Sequence, residues 1–317
     1  EEKVDAIQQI LQSPTLTADV ARATLERYLE DPHRYRIRIR NLMMSEITRV
    51  VAWLDRHVYL PATPPPPGQF ASEVSELVTI LQPSLAMFIV GGRWGEREQQ
   101  GVFRDAVEQV ADASTGRDFS LRWAGYWAYT VYLLLYAGGI TAVVGERYET
   151  LHALLADPTT ENFDPGRRVP LMWTLGEHSY LSLGDQIRRL RPNPNEHTPL
   201  SNQLRDDLLP QFASLIPNEA RYEEYFDRFE YLSALVYRDI DLRQGNTKQW
   251  APIGRFSWKS RHESDRSVML DIEREVGARQ ASWAPLRAGF FDGDVDRFEA
   301  VRRQLNEFIA AVQRERQ

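Results

Sequence analysis

Apolar residues recur along most of this chain with the 3.6-residue period of a helix. Ile37, Met44, Val51 and Val58 return every seven positions, with Ile47 and Leu54 between them, an apolar seam along one helical face. The seam predicts a helix over 34–59. Its first residues, Arg34-Tyr35-Arg36-Ile37-Arg38-Ile39-Arg40, also alternate as a strand would, but the longer seven-residue pattern favours the helix. Thr17 is placed to cap a shorter helix that runs to Leu29 and stops at Asp31-Pro32. Later, Tyr222, Tyr225, Phe226, Phe229, Leu232 and Val236 share one face of a helix capped by Asn218. Val295, Phe298, Val301, Leu305, Phe308 and Val312 form the stripe of a last helix capped by Asp294.

Between these, the pattern predicts helices over 70–91, with Pro83 kinking or dividing it, over 102–113, 118–138, 141–156 and 198–212. A helix over 171–190 is expected to be interrupted near Gly176 and Gly184. Gly91-Gly92 and Gly138 read as helix stops. The one strand-like piece is Arg255-Phe256-Ser257-Trp258-Lys259, where aromatic and polar residues alternate. The expected class is therefore all-α, an irregular multi-helix array with at most a short β-hairpin or strand near 254–260. Pro61-Ala62-Thr63-Pro64-Pro65-Pro66-Pro67-Gly68 can be neither helix nor central strand, and reads as a spacer or, alternatively, a Pro-rich peptide ligand. It divides the chain into an N-terminal helical unit, 1–60, a linker, 61–68, and a main helical domain, 69–317, with a sub-boundary at 157–170.

Residues 123–145 change the picture, because they carry no formal charge over a length that can span a bilayer. Tyr126, Tyr129, Tyr132 and Tyr136 spread phenols along the segment, whereas membrane spans gather Tyr at their ends. A helix buried in protein is the expectation, with no membrane partner. The chain has 317 residues, 38 Lys+Arg against 45 Asp+Glu, and no cysteine. The acidic balance argues against a general nucleic-acid coat. The lack of cysteine excludes disulfides and thiol chemistry and suits a cytoplasmic protein. No secretory signal opens the chain, and starting at Glu1 without Met suggests a trimmed chain or one part of a longer protein.

Catalytic and metal-binding motifs are missing. There is no phosphate loop, dinucleotide fingerprint, HExxH or GxSxG. No two of the six histidines stand three or four apart, so no catalytic residue, metal site or cofactor is assigned. Glu177-His178 with Asp185 offers acid–base groups without a nucleophile. Asp292-Gly293-Asp294-Val295-Asp296 opens like a calcium loop, but Arg297 and Arg303 stand where the sixth and twelfth residues should be Gly and Glu. Two Arg/Trp clusters remain, Arg93-Trp94 between glycines and the 250–261 segment with Trp250, Arg255, Trp258, Lys259 and Arg261. Arg beside aromatic rings suits an anionic ligand or a partner surface. Arg255 has two readings: an outward anion-binding group, or an internal partner of an acid on the 222–241 helix. The run Arg34, Arg36, Arg38, Arg40 is a local basic patch that a phosphate or an acidic partner would suit.

Tyr225-Phe226-Asp227-Arg228-Phe229-Glu230-Tyr231-Leu232, the 250–258 segment and Leu134-Leu135-Tyr136-Ala137-Gly138-Gly139 resemble helical C-terminal regions of bacterial multidomain proteins that carry an effector domain elsewhere, anti-phage defence proteins among them. The resemblance covers about a third of the chain and transfers no catalytic residue. It implies a sensor or scaffold: a non-catalytic interaction module whose partner is a protein or another domain of the same polypeptide. The alternative is a soluble enzyme whose polar site is assembled from dispersed residues.

Overall fold

A computed structural model describes residues 2–58, 67–114, 121–161, 166–193, 195–246, 250–262 and 267–315. Helices dominate. In chain order they are α1 (Glu2–Gln12), α2 (Ala18–Leu29), α3 (Pro32–Val58), α4 (Pro67–Trp94), α5 (Arg97–Asp112), α6 (Leu121–Val144) and α7 (Tyr148–Leu155). After a two-stranded antiparallel hairpin, β1 (Thr159–Glu161) and β2 (Arg168–Pro170), come α8 (Leu171–Thr174), α9 (Glu177–Arg188), α10 (Pro199–Phe212) and α11 (Glu219–Arg243). The chain closes with α12 (Phe256–His262), α13 (Val268–Arg279), α14 (Ala284–Arg287) and α15 (Val295–Glu315).

Among the described residues the fold is all-α with one short hairpin, but the hairpin is at 159–170. The 255–259 segment, expected as a strand, is helical: the amides of Trp258 and Lys259 both return to the Arg255 carbonyl. Alternation over five residues is consistent with either period. The i,i+4 spacing of Arg255 and Lys259 decides it, because the helix delivers both cations to one side. The caps at Thr17 and Asn218 are present, each side chain accepting a backbone N–H of the first turn. Most of the Pro-rich linker, 61–66, lies outside the described residues; α4 begins at Pro67 and runs unbroken through Pro83.

α6 stands at the centre, and its phenols anchor its neighbours. Tyr126 donates to Glu73 of α4 at 2.5 Å, Tyr129 to Asp207 of α10, Tyr132 to the Leu175 carbonyl at 2.8 Å and Tyr136 to Glu230 of α11 at 2.9 Å. Burying a phenol requires a partner, and each of these four has one. Two stretches, Ala71–Trp94 and Gly125–Val144, are long and apolar enough to cross a membrane; here both are mostly covered by protein.

The expected stops at Gly91-Gly92 and Gly138 are corrected: α4 continues to Trp94 and α6 to Val144. These glycines permit contact instead. A Cβ on Gly92 would lie 2.2 Å from the Gly138 carbonyl oxygen, and one on Gly139 would lie 2.0 Å from the Phe229 ring. α4 therefore crosses α6 backbone to backbone, and the Phe229 ring of α11 lies directly on the α6 backbone, as small residues allow. The true break follows Val144, where Glu146 takes a left-handed φ of 53° before α7 begins. α2 and α3 join the same hydrophobic core as α4 and α5, with Trp53 donating to Glu76 across the 61–68 boundary at 2.9 Å.

Candidate functional site

Helical folding of 255–259 sends its two aromatics to opposite sides. Phe256 is 1% exposed and packs on Tyr231 of α11, with ring centroids 5.4 Å apart. Trp258 turns away and stacks flat on His197, with centroids 4.0 Å apart and ring planes at 17°. Trp250 meets the edges of Tyr180 and Tyr237 at 5.8 and 5.2 Å. The Tyr180 hydroxyl fixes the irregular 250–254 stretch by donating to the Ile253 carbonyl at 3.1 Å.

Trp250 and Trp258 line one cleft, which encloses about 120 Å³ between α9, the start of α10, the 250–258 segment and the end of α15. The other walls are Leu181, Gly184, Phe308 and Val312. The sequence assigned Phe308 and Val312 to the core stripe of the last helix. Ile309 is buried in the core instead, leaving that pair half-covered at the cleft. Leu181 is 48% exposed at the mouth. Asp185 and Arg188 stand at the rim, their charged atoms 3.9 Å apart, and Arg188 also donates to the Glu196 carbonyl at 3.1 Å.

The cations of the 250–261 segment do not reach this cleft. Arg255 pairs with Glu223 at 2.9 Å and with Asp227 at 3.6 Å, and Lys259 with the same two carboxylates at 3.0 and 2.7 Å. Arg255, immediately before α12, and Lys259 within it thus face an i,i+4 pair of acids on α11. Of the two readings of Arg255, the geometry is that of the internal ion pair. Desolvation works against the Glu223 charge, but the hydrogen bond from Lys259 and the charge of Arg255 hold the carboxyl down at about 2. Arg255→Ala is expected to lower stability by about 2 kcal/mol. That is less than the 3–5 kcal/mol of a stranded buried charge, because Lys259 still faces both acids. Urea midpoints of the two proteins measure the difference; a change under about 0.5 kcal/mol would mean the pairing contributes nothing. At Arg261 only the backbone is described.

Behind the cleft wall lies a buried carboxyl that the sequence did not single out. Glu230 is 3% exposed and accepts from Tyr136, while its Oε2 has no hydrogen-bond partner. Gly254 closes over it: a Cβ there would sit 2.0 Å from Oε2. Burial pushes Glu230 up to about 7, against the pull of the nearby Ser201 and Tyr136 hydroxyls and with help from the Asp227 charge. The Ser201 hydroxyl also receives the Arg255 amide at 3.1 Å, so α10 and the 254–255 turn meet at this carboxyl.

The other sequence candidates lie elsewhere. Arg93 covers the Trp94 ring at 4.7 Å at the end of α4, near the α6–α7 turn, where Arg147 donates to the Gly95 carbonyl at 2.8 Å. Asp292 and Asp294 hold no loop of ligands. Asp294 caps α15 through the Asp296 amide at 2.8 Å. Asp292 closes a ring of charge with Arg243, Asp239 and Arg297, each member bonded to two others at 2.6–3.0 Å. That ring and the buried Phe291 hold two successive side-chain-bearing residues at left-handed φ, 55° and 57°. A second cavity of about 340 Å³ adjoins the ring, but its Asp239, Arg243 and Asp292 are committed to the ring and its His152 to Asp157. Among the described residues no cluster of His, Asp or Glu could hold a metal ion. Compared with known proteins, the chain matches no protein-family model, no curated protein and no solved structure.

Proposed function

We propose that the chain is a non-catalytic recognition module that takes one apolar side chain of a protein partner, or of another part of the same polypeptide, into the Trp250/Trp258 cleft. Its capacity is that of a single ring or aliphatic side chain: a cavity of about 150 Å³ holds one benzene, and this one is slightly smaller. Aromatic anchors with a polar rim are the usual make-up of such contacts. The resemblance noted above adds the setting of a sensor or scaffold within a bacterial multidomain protein, with defence as its context.

The observation that carries the reading is Gly184. It sits inside α9, where glycine weakens a helix by about 0.5–1 kcal/mol relative to alanine. No neighbour requires it, since a Cβ there would meet nothing within 4 Å. What its missing side chain leaves is room in the cleft. Gly101 and Gly277 are equally unhindered but lie outside this cleft.

The test uses N-acetyl-leucinamide and N-acetyl-phenylalaninamide as side-chain mimics and follows the indole N–H resonances of Trp250 and Trp258. Both mimics are expected to shift these signals, and N-acetyl-aspartamide is not. Gly184→Ala should raise stability by about 0.5–1 kcal/mol, while Gly184→Leu should fill the cleft and remove the shifts without loss of folding. Equal responses to all three mimics, or shifts that persist in the Gly184→Leu protein, would overturn the proposal. A second reading makes Glu230 the proton carrier of an enzyme, since a carboxyl near 7 suits acid–base work. Its enclosure beneath Gly254, away from the cleft, favours recognition over catalysis.

A further inference from the structure

α3 buries Ile39, Met43, Ile47, Val50 and Leu54, and the seven-residue repeat Ile37, Met44 and Val51 runs along one edge of that face. Met44 and Val51 are half-covered, and Ile37 stands 65% exposed. An isolated exposed aliphatic residue is ordinary. Arginines outnumber the acids around this one, although Glu98 of α5 pairs with His33 one turn before it at 3.0 Å. Arg34 and Arg36 fall at the two positions that flank Ile37 across a coiled-coil seam. Arg38 stands beside them on α3 and Arg27 on α2. Among the described residues these four arginines make no ion pair, whereas Arg40 is held by Asp105 at 2.9 Å. The nearby Asp31 uses Oδ1 to receive the Arg34 amide at the start of α3. Four arginines without an ion pair are out of keeping with a chain of net charge −7.

We propose that the exposed start of α3 docks an acidic amphipathic helix of another protein, with Ile37 as the apolar knob and Arg34 and Arg36 as its flanking charges. The reading is independent of the Trp250/Trp258 cleft. Charge complementarity selects an acidic occupant, and Ile37 selects one with an aliphatic stripe, because only an apolar partner gains by covering it. A single-stranded nucleic acid would need open ring faces on which to stack. Tyr28 and Tyr35 stack on each other at 5.0 Å, and Arg27, Arg34 and Arg38 lie over these rings at 5.4–5.5 Å. An anionic membrane would need a broader apolar face than one isoleucine.

The probe is a three-heptad helical peptide with Leu at the seam and Glu at the flanking positions; its counterpart carries Lys in place of Glu. Anisotropy of the labelled peptides on the full chain is expected to give binding of the Glu peptide only, weakening as salt rises. Arg34→Glu/Arg36→Glu should weaken it at least about tenfold and transfer binding to the Lys peptide. Ile37→Asp should abolish binding with Tm unchanged, since its side chain supports no core contact. The proposal is overturned by equal binding of both peptides, by no binding of the Glu peptide, or by charge reversal without effect. It is also overturned if a single-stranded oligonucleotide or phosphatidylserine vesicles bind more tightly than the Glu peptide and lose binding in the same variants.

Discussion

Glu230→Gln is expected to stabilise the protein by about 3 kcal/mol at about pH 8 and to leave it nearly unchanged near pH 4. Unfolded, this carboxyl releases its proton near its ordinary value of 4.5; folded, burial holds the proton until about 7. Below the lower value both states are protonated, and the group is neutral in its effect. Between the two values only the unfolded chain ionises, so stability falls as pH rises. Above about 7 both are ionised and the loss is complete and constant. Each unit of displacement is worth about 1.4 kcal/mol, which sets the size of the effect. Gln has the same shape, keeps an acceptor for Tyr136 and titrates nowhere. The difference in urea stability between the two proteins, followed from about pH 4 to pH 8, isolates this group from the others. Glu223, Asp206 and Glu275 are displaced downward and act in the opposite sense in both proteins alike. A variant less stable than the parent at pH 8 would mean that Glu230 is ionised and well partnered there.

Gly92→Ala is expected to lower stability by about 3 kcal/mol or more, at the upper end of what overpacking does. The added methyl would stand 2.2 Å from the Gly138 carbonyl oxygen and 2.3 Å from the Thr141 hydroxyl. A flexible side chain could swing aside, but the first obstacle is backbone. Thr141 is itself held by hydrogen bonds to the Ala137 and Gly138 carbonyls, both at 3.0 Å. The crossing of α4 over α6 would have to widen, loosening Phe88 and Leu154, which pack against Gly138. Gly101→Ala supplies the contrast. The same exchange in the middle of α5, where nothing lies within 4 Å, should gain about 0.5–1 kcal/mol. Thermal or urea unfolding of the pair should show opposite signs; equal effects would remove the close crossing as the cause.

Helix positions with an apolar stripe were legible because the stripe is a property of one segment alone. α11 and α15 were found with their caps for that reason, and so was the class of the fold. The glycines were misread because a helix end and a close helix crossing call for the same missing side chain. Only the neighbour tells them apart, and Phe229 lies about 90 residues beyond Gly139 in the chain. At 255–259 five residues are too few to separate a period of two from one of 3.6. The sequence did single out Trp250 and Trp258, and the fold brings them to one cleft. It could not supply Leu181, Gly184 and His197, which reach that cleft only through the packing of α9 and α10. Glu230 left no signal, since it lies off the apolar stripe of its helix and only the packing of the neighbouring elements shows that it is buried.

The crossing of α4 and α6 also has a history in time. Ribosomes deliver α4 first, and α6 is complete only about 50 residues later. At roughly 5–20 residues per second the delay is roughly 3 to 10 s. During it the second half of α4, with its run from Leu85 to Val90, has α2 available but not the helix that covers Gly92. The Gly92 face of α4 therefore stays uncovered until α6 has been made, and apolar surface exposed in this way is where incomplete chains associate.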